Sequence, residues 1–124
     1  MKAIVDASVV LAWLQDEPGS DTAEPMLMEG VIGAANWSEV LQKGRQHGIA
    51  EELIARLLTS FGLTVEPVTR EDGERAAGLW QPGIGLSLAG RLCMALGLRL
   101  KVPVATMDAA WDGVPGGPEI LALR

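Results

Sequence analysis

The stretch IVDASVVLAWL, residues 4–14 of this 124-residue chain, carries the clearest indication of its fold. An apolar run from Ala3 to Val5 ends at Asp6, and the hydrophobic pattern then changes to the spacing of a helix. An uninterrupted apolar run is typical of a strand that is covered on both faces. We therefore predict a central strand of a parallel sheet, followed directly by a helix, with Asp6 at the carboxyl end of the strand.

The same order of strand and helix repeats along the rest of the chain. Further apolar segments predict strands at 31–35, 63–68, 102–108 and, at an edge of the sheet, 119–123. Three polar residues are suited to begin the helices between these strands: Asn36, Thr69 and Ser87. The alternation predicts an α/β fold, a parallel sheet with helices on both faces, which binds ligands at the carboxyl ends of its strands.

Composition and charge narrow the functional class. The length suits one domain over 1–124, and 48% hydrophobic residues argue against a disordered chain. No run approaches the roughly 18 apolar residues of a membrane span, and Met1 precedes the first strand without a leader-like region, so we expect a cytoplasmic protein. A net charge of −6 argues against broad, charge-driven nucleic-acid binding, so any contact with RNA or DNA must be local.

Three acids fall near the predicted carboxyl edge of the sheet: Asp6, Glu39 and Asp108. A divalent cation would explain their proximity, because Mg²⁺ prefers oxygen ligands and is commonly held by one or two carboxylates, water and substrate phosphate. Such an ion can polarise a phosphate and activate water for hydrolysis. The alternative for each acid alone is a helix cap or a solvated loop residue.

Other candidate residues have simpler interpretations. Cys93 lies among apolar neighbours and suits a small buried side chain, and His47 ends a helix, where it interacts with the helix dipole. No serine lies in a nucleophile motif. The four tryptophans suit a core or a partner interface, because none lies among basic residues: Trp13, Trp37, Trp80 and Trp111.

The segments IVDASVVLAWL, AANWSEVLQKG and LSLAGRLCMALGLRLKVPVATMDAAW together resemble the successive motifs of a PIN-domain toxin of the VapC type. The resemblance spans nearly the whole chain. It implies a three-layer α/β/α sandwich with a parallel central sheet and an endoribonuclease that depends on Mg²⁺ or Mn²⁺ and cuts RNA of the translation machinery, such as tRNA or rRNA. It also implies a VapB-type antitoxin as partner, a homodimer, and contact with promoter DNA only through the antitoxin.

The resemblance assigns the family's acids to three residues here, Asp6, Glu39 and Asp108. The small hydroxyl residues of its motifs fall on Ser8 and Thr106, which are expected to orient the carboxylates by hydrogen bonding.

One position departs from the family pattern. The family has an aspartate where this chain has Gly90, so we expect weakened metal binding and little ribonuclease activity. The alternative is that Gly90 is tolerated: Asp112, a looser match, or a water then replaces the missing ligand and activity is preserved at higher metal concentration. The neighbouring Arg91 is the candidate contact for an RNA phosphate.

Two further hypotheses remain open. The first is a non-catalytic PIN module that binds an antitoxin and takes part in transcriptional regulation. The second is a phosphoacceptor domain with an acidic pocket at the sheet edge, although no lysine follows a late strand to contact a phosphoryl group.

Overall fold

A five-stranded parallel sheet forms the centre of the computed structural model, which describes residues 3–124. The strands are β1 (Ile4–Val5), β2 (Val31–Gly33), β3 (Thr64–Glu66), β4 (Val104–Thr106) and β5 (Ile120–Ala122). Their order is β3-β2-β1-β4-β5, so β1 is the central strand, as predicted. The carboxyl ends of β1, β2 and β4 are therefore neighbours at one edge.

Helices cover both faces of this sheet. They are α1 (Ala7–Leu14), α2 (Ser20–Leu27), α3 (Ala34–Gln46), α4 (Glu51–Ser60), α5 (Arg70–Gly78) and α6 (Leu88–Leu100), with a 3-10 helix at Ala109–Trp111. None of these helices, within residues 3–124, is long and apolar enough to cross a membrane.

Two hydrophobic clusters, one on each face, make the three layers. Successive strand residues point to opposite faces, so Val5 packs in a cluster with α1 to α4 while Ile4 packs in another with α6 and Trp111. In β2, Ile32 packs in the same cluster as Val5, and Val31 packs in the same cluster as Ile4. This two-sided burial explains why the strands read as continuous apolar runs, and the fold is the predicted α/β/α sandwich.

The predicted helix starts are confirmed in two of three cases. Ser87 Oγ accepts a hydrogen bond from the Gly90 amide at 3.0 Å at the start of α6. Thr69 and Asp72 exchange reciprocal bonds at the start of α5. The prediction for Asn36 is wrong: β2 ends at Gly33, α3 begins at Ala34, and Asn36 is a buried residue inside the helix.

An ion pair joins the two helices on one face of the sheet. Arg99 Nε of α6 lies 2.9 Å from Oδ1 of Asp72 on α5, and Nη2 lies 3.2 Å from Oδ2. The Asp72 side chain is only 4% exposed, so its charge depends on this partner. Burial alone would raise the pKa of Asp72, but the hydrogen bonds and charge of Arg99 and the Thr69 amide together lower it.

We predict that Arg99→Leu destabilises the fold by roughly 3 kcal/mol, because it leaves a buried carboxylate without its counter-ion. The matched control is Arg70→Leu, which breaks the ion pair between Arg70 and Glu74. The Arg70 side chain is 92% exposed, so this loss should cost less than about 1 kcal/mol. Urea unfolding at pH 7 measures both. Equal losses for the two variants would contradict the prediction.

Candidate active site

Asp6 is the centre of a hydrogen-bond network at the carboxyl edge of the sheet. Its carboxylate is largely buried, and Oδ2 accepts from Ser8 Oγ at 2.7 Å and from Thr106 Oγ1 at 3.1 Å. The two hydroxyls also accept backbone N–H groups, Ser8 from Met107 at 3.0 Å and Thr106 from Asp108 at 3.1 Å. The end of β1 and the segment after β4 are thus joined through one carboxylate.

A residue that the sequence analysis did not assign to the site completes this network. Asn36 is 1% exposed, and its Nδ2 lies 3.5 Å from Asp6 Oδ1 and donates to the Ala89 carbonyl at 3.2 Å. Asn36 therefore ties Asp6 to the first turn of α6, next to Gly90. Its position just after an apolar segment suggested a helix cap, and only its burial shows the different role.

Glu39 is electrostatically coupled to Asp6. It lies on α3, half-buried, and its pKa is raised by burial and then by the negative charge of Asp6, while Lys43 opposes the shift. Burial also raises the pKa of Asp6, against the hydrogen bonds from Ser8 and Thr106. Both carboxylates are therefore held at some electrostatic cost, which is typical of functional sites.

A cavity of about 240 Å³ brings the predicted site residues together. Asp6, Ser8, Glu39, Gly90 and Asp108 all line it. Asp108 is exposed at its rim, and its Oδ1 also accepts the Ala110 N–H at 2.9 Å, which caps the 3-10 helix. The residues predicted from different strand ends thus meet in one cleft.

Asp112 is not part of this arrangement. It is exposed at the end of the 3-10 helix and does not belong to the residues that line the cavity. That Asp112 replaces the missing ligand stays a prediction, and the lining of the cleft does not include it.

Gly90 is buried in the wall of the cleft, where neighbouring side chains occupy the space. A Cβ atom at this position would lie 3.1 Å from Trp111 Cζ2 and 3.3 Å from both Leu86 Cδ1 and Ser87 Oγ. These contacts are slightly tight, so a side chain at position 90 requires shifts of a few tenths of an ångström. Trp111 itself is 6% exposed and anchored in the core.

Arg91 and Cys93, on the same helix, do not reach the acids by hydrogen bonding. Arg91 Nη1 donates to the Ala76 carbonyl at 3.0 Å, which ties α6 to α5, and its buried Nε has no partner among the described residues. Cys93 is fully buried, and burial raises the pKa of its thiol well above 9.0. The thiol stays protonated, as expected for a core residue.

The carboxylate oxygens in the cleft are ligands of the kind that a hard divalent cation prefers, but they come from few residues. Asp6 and Glu39 offer carboxylate oxygens whose mutual repulsion a cation would relieve. However, no group of three or more His, Cys, Asp or Glu side chains in residues 3–124 is arranged to hold a metal ion. The cleft therefore suits a cation held by two carboxylates and water, and position 90 contributes no ligand.

Comparison with known proteins agrees with this fold. The PIN domain family matches residues 3–117, so the chain belongs to the PIN domain family. The sequence matches no curated protein.

Three solved structures share the fold over most of the chain. A toxin–antitoxin complex from Klebsiella pneumoniae has a TM-score of 0.76 at 17% identity, covering 98% of each chain. VapBC2 from Rickettsia felis, bound to a DNA fragment from its promoter, has a TM-score of 0.70 at 15% identity, covering 98% of each chain. VapC20 from Mycobacterium tuberculosis, a toxin that cleaves the sarcin–ricin loop, has a TM-score of 0.70 at 14% identity. The match covers 86% of this chain and 90% of that one.

We predict that Asp6→Asn stabilises the metal-free protein by about 1 kcal/mol at pH 7. Folding raises the pKa of Asp6 above 3.8, so the folded protein favours the protonated carboxyl. As the pH rises from 3.8 through the pKa of Asp6 in the folded protein, the carboxyl loses its proton and the free energy of unfolding falls. Asparagine avoids this loss and keeps an oxygen that accepts hydrogen bonds from Ser8 and Thr106.

Thermal melts in EDTA measure this effect, with the exposed Asp112→Asn as control. The advantage of Asp6→Asn should disappear below about pH 3.8, where the carboxyl is protonated in both states. A melting temperature that is lower than that of the unchanged protein at pH 7 would contradict the prediction.

Proposed function

We propose that this chain is the toxin of a type II VapBC-like toxin–antitoxin pair, a single PIN domain over 1–124 built as a metal-dependent endoribonuclease and weakened by Gly90. The observation that carries the proposal is the convergence of Asp6, Glu39, Asp108 and Gly90 on one cleft in a chain of the PIN family. The toxins and toxin–antitoxin complexes that share its fold support an antitoxin as partner and RNA as substrate.

In this proposal Asp6 and Glu39 hold Mg²⁺ or Mn²⁺, with Asp108 facing the same space from the rim. A bound divalent ion supplies charge stabilisation at the scissile phosphate and activates water. Ser8 and Thr106 fix the Asp6 carboxylate by hydrogen bonds, and Asn36 holds it against α6. The chain acts in the cytoplasm as a homodimer and reaches promoter DNA only through its antitoxin.

Gly90 limits this activity. At the position where the resembling family carries an aspartate, the Trp111 ring lies against the glycine, and position 90 supplies no oxygen ligand. A cation held by two carboxylates is bound less tightly and with less defined geometry, and displacement of reacting groups by about 1 Å can cost roughly a hundredfold in rate.

A second candidate function is a non-catalytic PIN module that binds an antitoxin and takes part in transcriptional regulation. Gly90, at the position where the resembling family carries an aspartate, favours it. In this alternative the buried Asp6 and the half-buried Glu39 bind a basic side chain of the antitoxin, for which arginine has the matching charge and geometry.

Cleavage of total tRNA and of rRNA with Mg²⁺ or Mn²⁺ tests the proposal. Gly90→Asp should cleave about a hundredfold faster than the unchanged chain, because it adds the missing carboxylate. Gly90→Ala is the matched control, since it introduces the same Cβ against Trp111 without an oxygen. EDTA, or Asp6→Asn added to Gly90→Asp, should abolish cleavage.

Two results would contradict parts of this account. Equal metal-dependent cleavage by the unchanged chain and Gly90→Asp would show that Gly90 is tolerated. If a folded Gly90→Asp protein cleaves neither RNA while the unchanged chain binds a VapB-type antitoxin without metal, the binding function is supported instead.

A further inference from the structure

Trp80 differs from the other three tryptophans in its exposure to solvent. Trp111 is buried, and Trp13 and Trp37 pack against the hydrophobic core, whereas Trp80 is 60% exposed in the loop that follows α5. Tryptophan is enriched at binding surfaces, because covering its large ring is favourable and the indole N–H can still reach a polar partner. The exposed ring is therefore available to a ligand.

The side chain of Trp80 borders a cavity of about 330 Å³. The loop between α5 and α6, residues 79–86, forms this cavity together with Arg91 of α6, and we call it the tryptophan cavity. Its volume is at the lower end of the range for ligand sites, about 300–1,000 Å³. Residues 84–86 also line the cleft at Asp6, so the cleft and the tryptophan cavity are neighbours.

Two glycines of the loop keep the tryptophan cavity open. Gly83 and Gly85 have φ angles of +84° and +71°, which glycine adopts without strain. A Cβ atom at either position would meet no atom within 4 Å. The loop thus turns without filling the neighbouring space with side chains, and a flat ligand can approach its backbone.

Arg91 contributes a guanidinium whose position is fixed. Its Nη1 donates to the Ala76 carbonyl at 3.0 Å, and its buried Nε has no partner among the described residues. The residues that line the tryptophan cavity include no acid, and Arg91 forms no ion pair within residues 3–124. Most of the N–H donors of this guanidinium are therefore left for a ligand that brings acceptors.

An aromatic ring, a guanidinium and an apolar loop are the groups that recognise an unstacked RNA base. Bases of single-stranded RNA stack on aromatic side chains, and hydrogen bonds read their edges. The planar fork of an arginine donates to two acceptors at once. Guanine presents such a pair in O6 and N7, whereas adenine presents one acceptor and one donor on the same edge. The chemistry of the cavity thus favours guanine over adenine.

We propose that the tryptophan cavity binds a guanine base next to the scissile phosphate, with Trp80 stacked on the base and Arg91 donating to its O6 and N7. The proposal rests on the ribonuclease function proposed above. Because the cavity and the cleft share residues 84–86, a strand with one phosphate at Asp6 can place an adjacent base in the cavity. Arg91 then reads a base, which replaces its predicted contact with an RNA phosphate.

Titration with nucleosides tests this site without any phosphate. Guanosine and adenosine are added in EDTA while the indole N–H resonances of the tryptophans are followed by NMR, and Trp80→Phe assigns the resonance of Trp80. Guanosine should shift this resonance and adenosine should shift it much less. Arg91→Lys keeps the positive charge but loses the planar fork, so it should remove the difference between the two nucleosides.

RNA binding tests the same site in a strand. A fluorescent uridine oligomer with one guanosine, adenosine or 7-deazaguanosine is followed by anisotropy in EDTA, so that no cleavage occurs. The guanosine RNA should bind about tenfold more tightly than the adenosine RNA. The 7-deazaguanosine RNA lacks the N7 acceptor and should lose most of this preference, a comparison that needs no variant of the protein.

Substitution of Trp80 tests the stacking contact. Trp80→Ala should weaken binding of the guanosine RNA about tenfold, and Trp80→Phe should weaken it much less, because a ring remains to stack on the base. The matched control is Leu88→Ala, which removes another exposed apolar side chain that does not line the tryptophan cavity. This control should leave RNA binding unchanged.

Three outcomes would overturn the proposal. Equal binding of the three RNAs, while Gly90→Asp cleaves RNA, removes the guanine site and leaves the ribonuclease proposal intact. If Trp80→Ala weakens binding of a VapB-type antitoxin but not of RNA, the cavity is a contact for the protein partner. If guanosine shifts the Trp80 resonance in a protein that neither binds nor cleaves RNA, the proposed function fails and the cavity does not serve an RNA strand.

Discussion

The rest of the site depends on the hydrogen bonds that hold the Asp6 carboxylate between β1 and β4. Ser8 and Thr106 each donate to the same oxygen and each accept a backbone amide after β4, so the strand ends cannot separate without leaving buried polar groups unpaired. Asn36 adds a bond from α3. The end of β1, the segment after β4 and α3 are thereby fixed around the Asp6 carboxylate. The shape of the cleft follows from this arrangement.

The wall of the cleft at Gly90 has a different character. In place of a carboxylate, Gly90 meets the edge of Trp111, a residue buried in the hydrophobic cluster on that face of the sheet. The cleft therefore combines two coupled acids, an exposed acid at its rim and an apolar wall. Gly90 leaves a cation with fewer ligands in the cleft. The repulsion between Asp6 and Glu39 is retained, so a bound cation would still be stabilised by both carboxylates.

Much of this arrangement could be predicted from the sequence because it follows from local rules. Continuous apolar runs predicted a central parallel β1, and parallel strands place their ends at one edge, which brought Asp6 and Asp108 together. The burial of Asn36 depended on α3 beginning three residues earlier than its capping pattern suggested. The contact of Gly90 with Trp111 could not be foreseen, because it depends on how the 3-10 helix packs against α6.

Titration calorimetry of Mn²⁺ binding shows whether position 90 is an absent metal ligand, and it does not depend on finding the right RNA. If position 90 is an absent ligand, Gly90→Asp binds Mn²⁺ about tenfold or more tightly than both the unchanged chain and Gly90→Ala, and adding Asp6→Asn removes the gain. Equal affinities in all four proteins would contradict the account, because the cleft would then not be a metal site that Gly90 leaves incomplete.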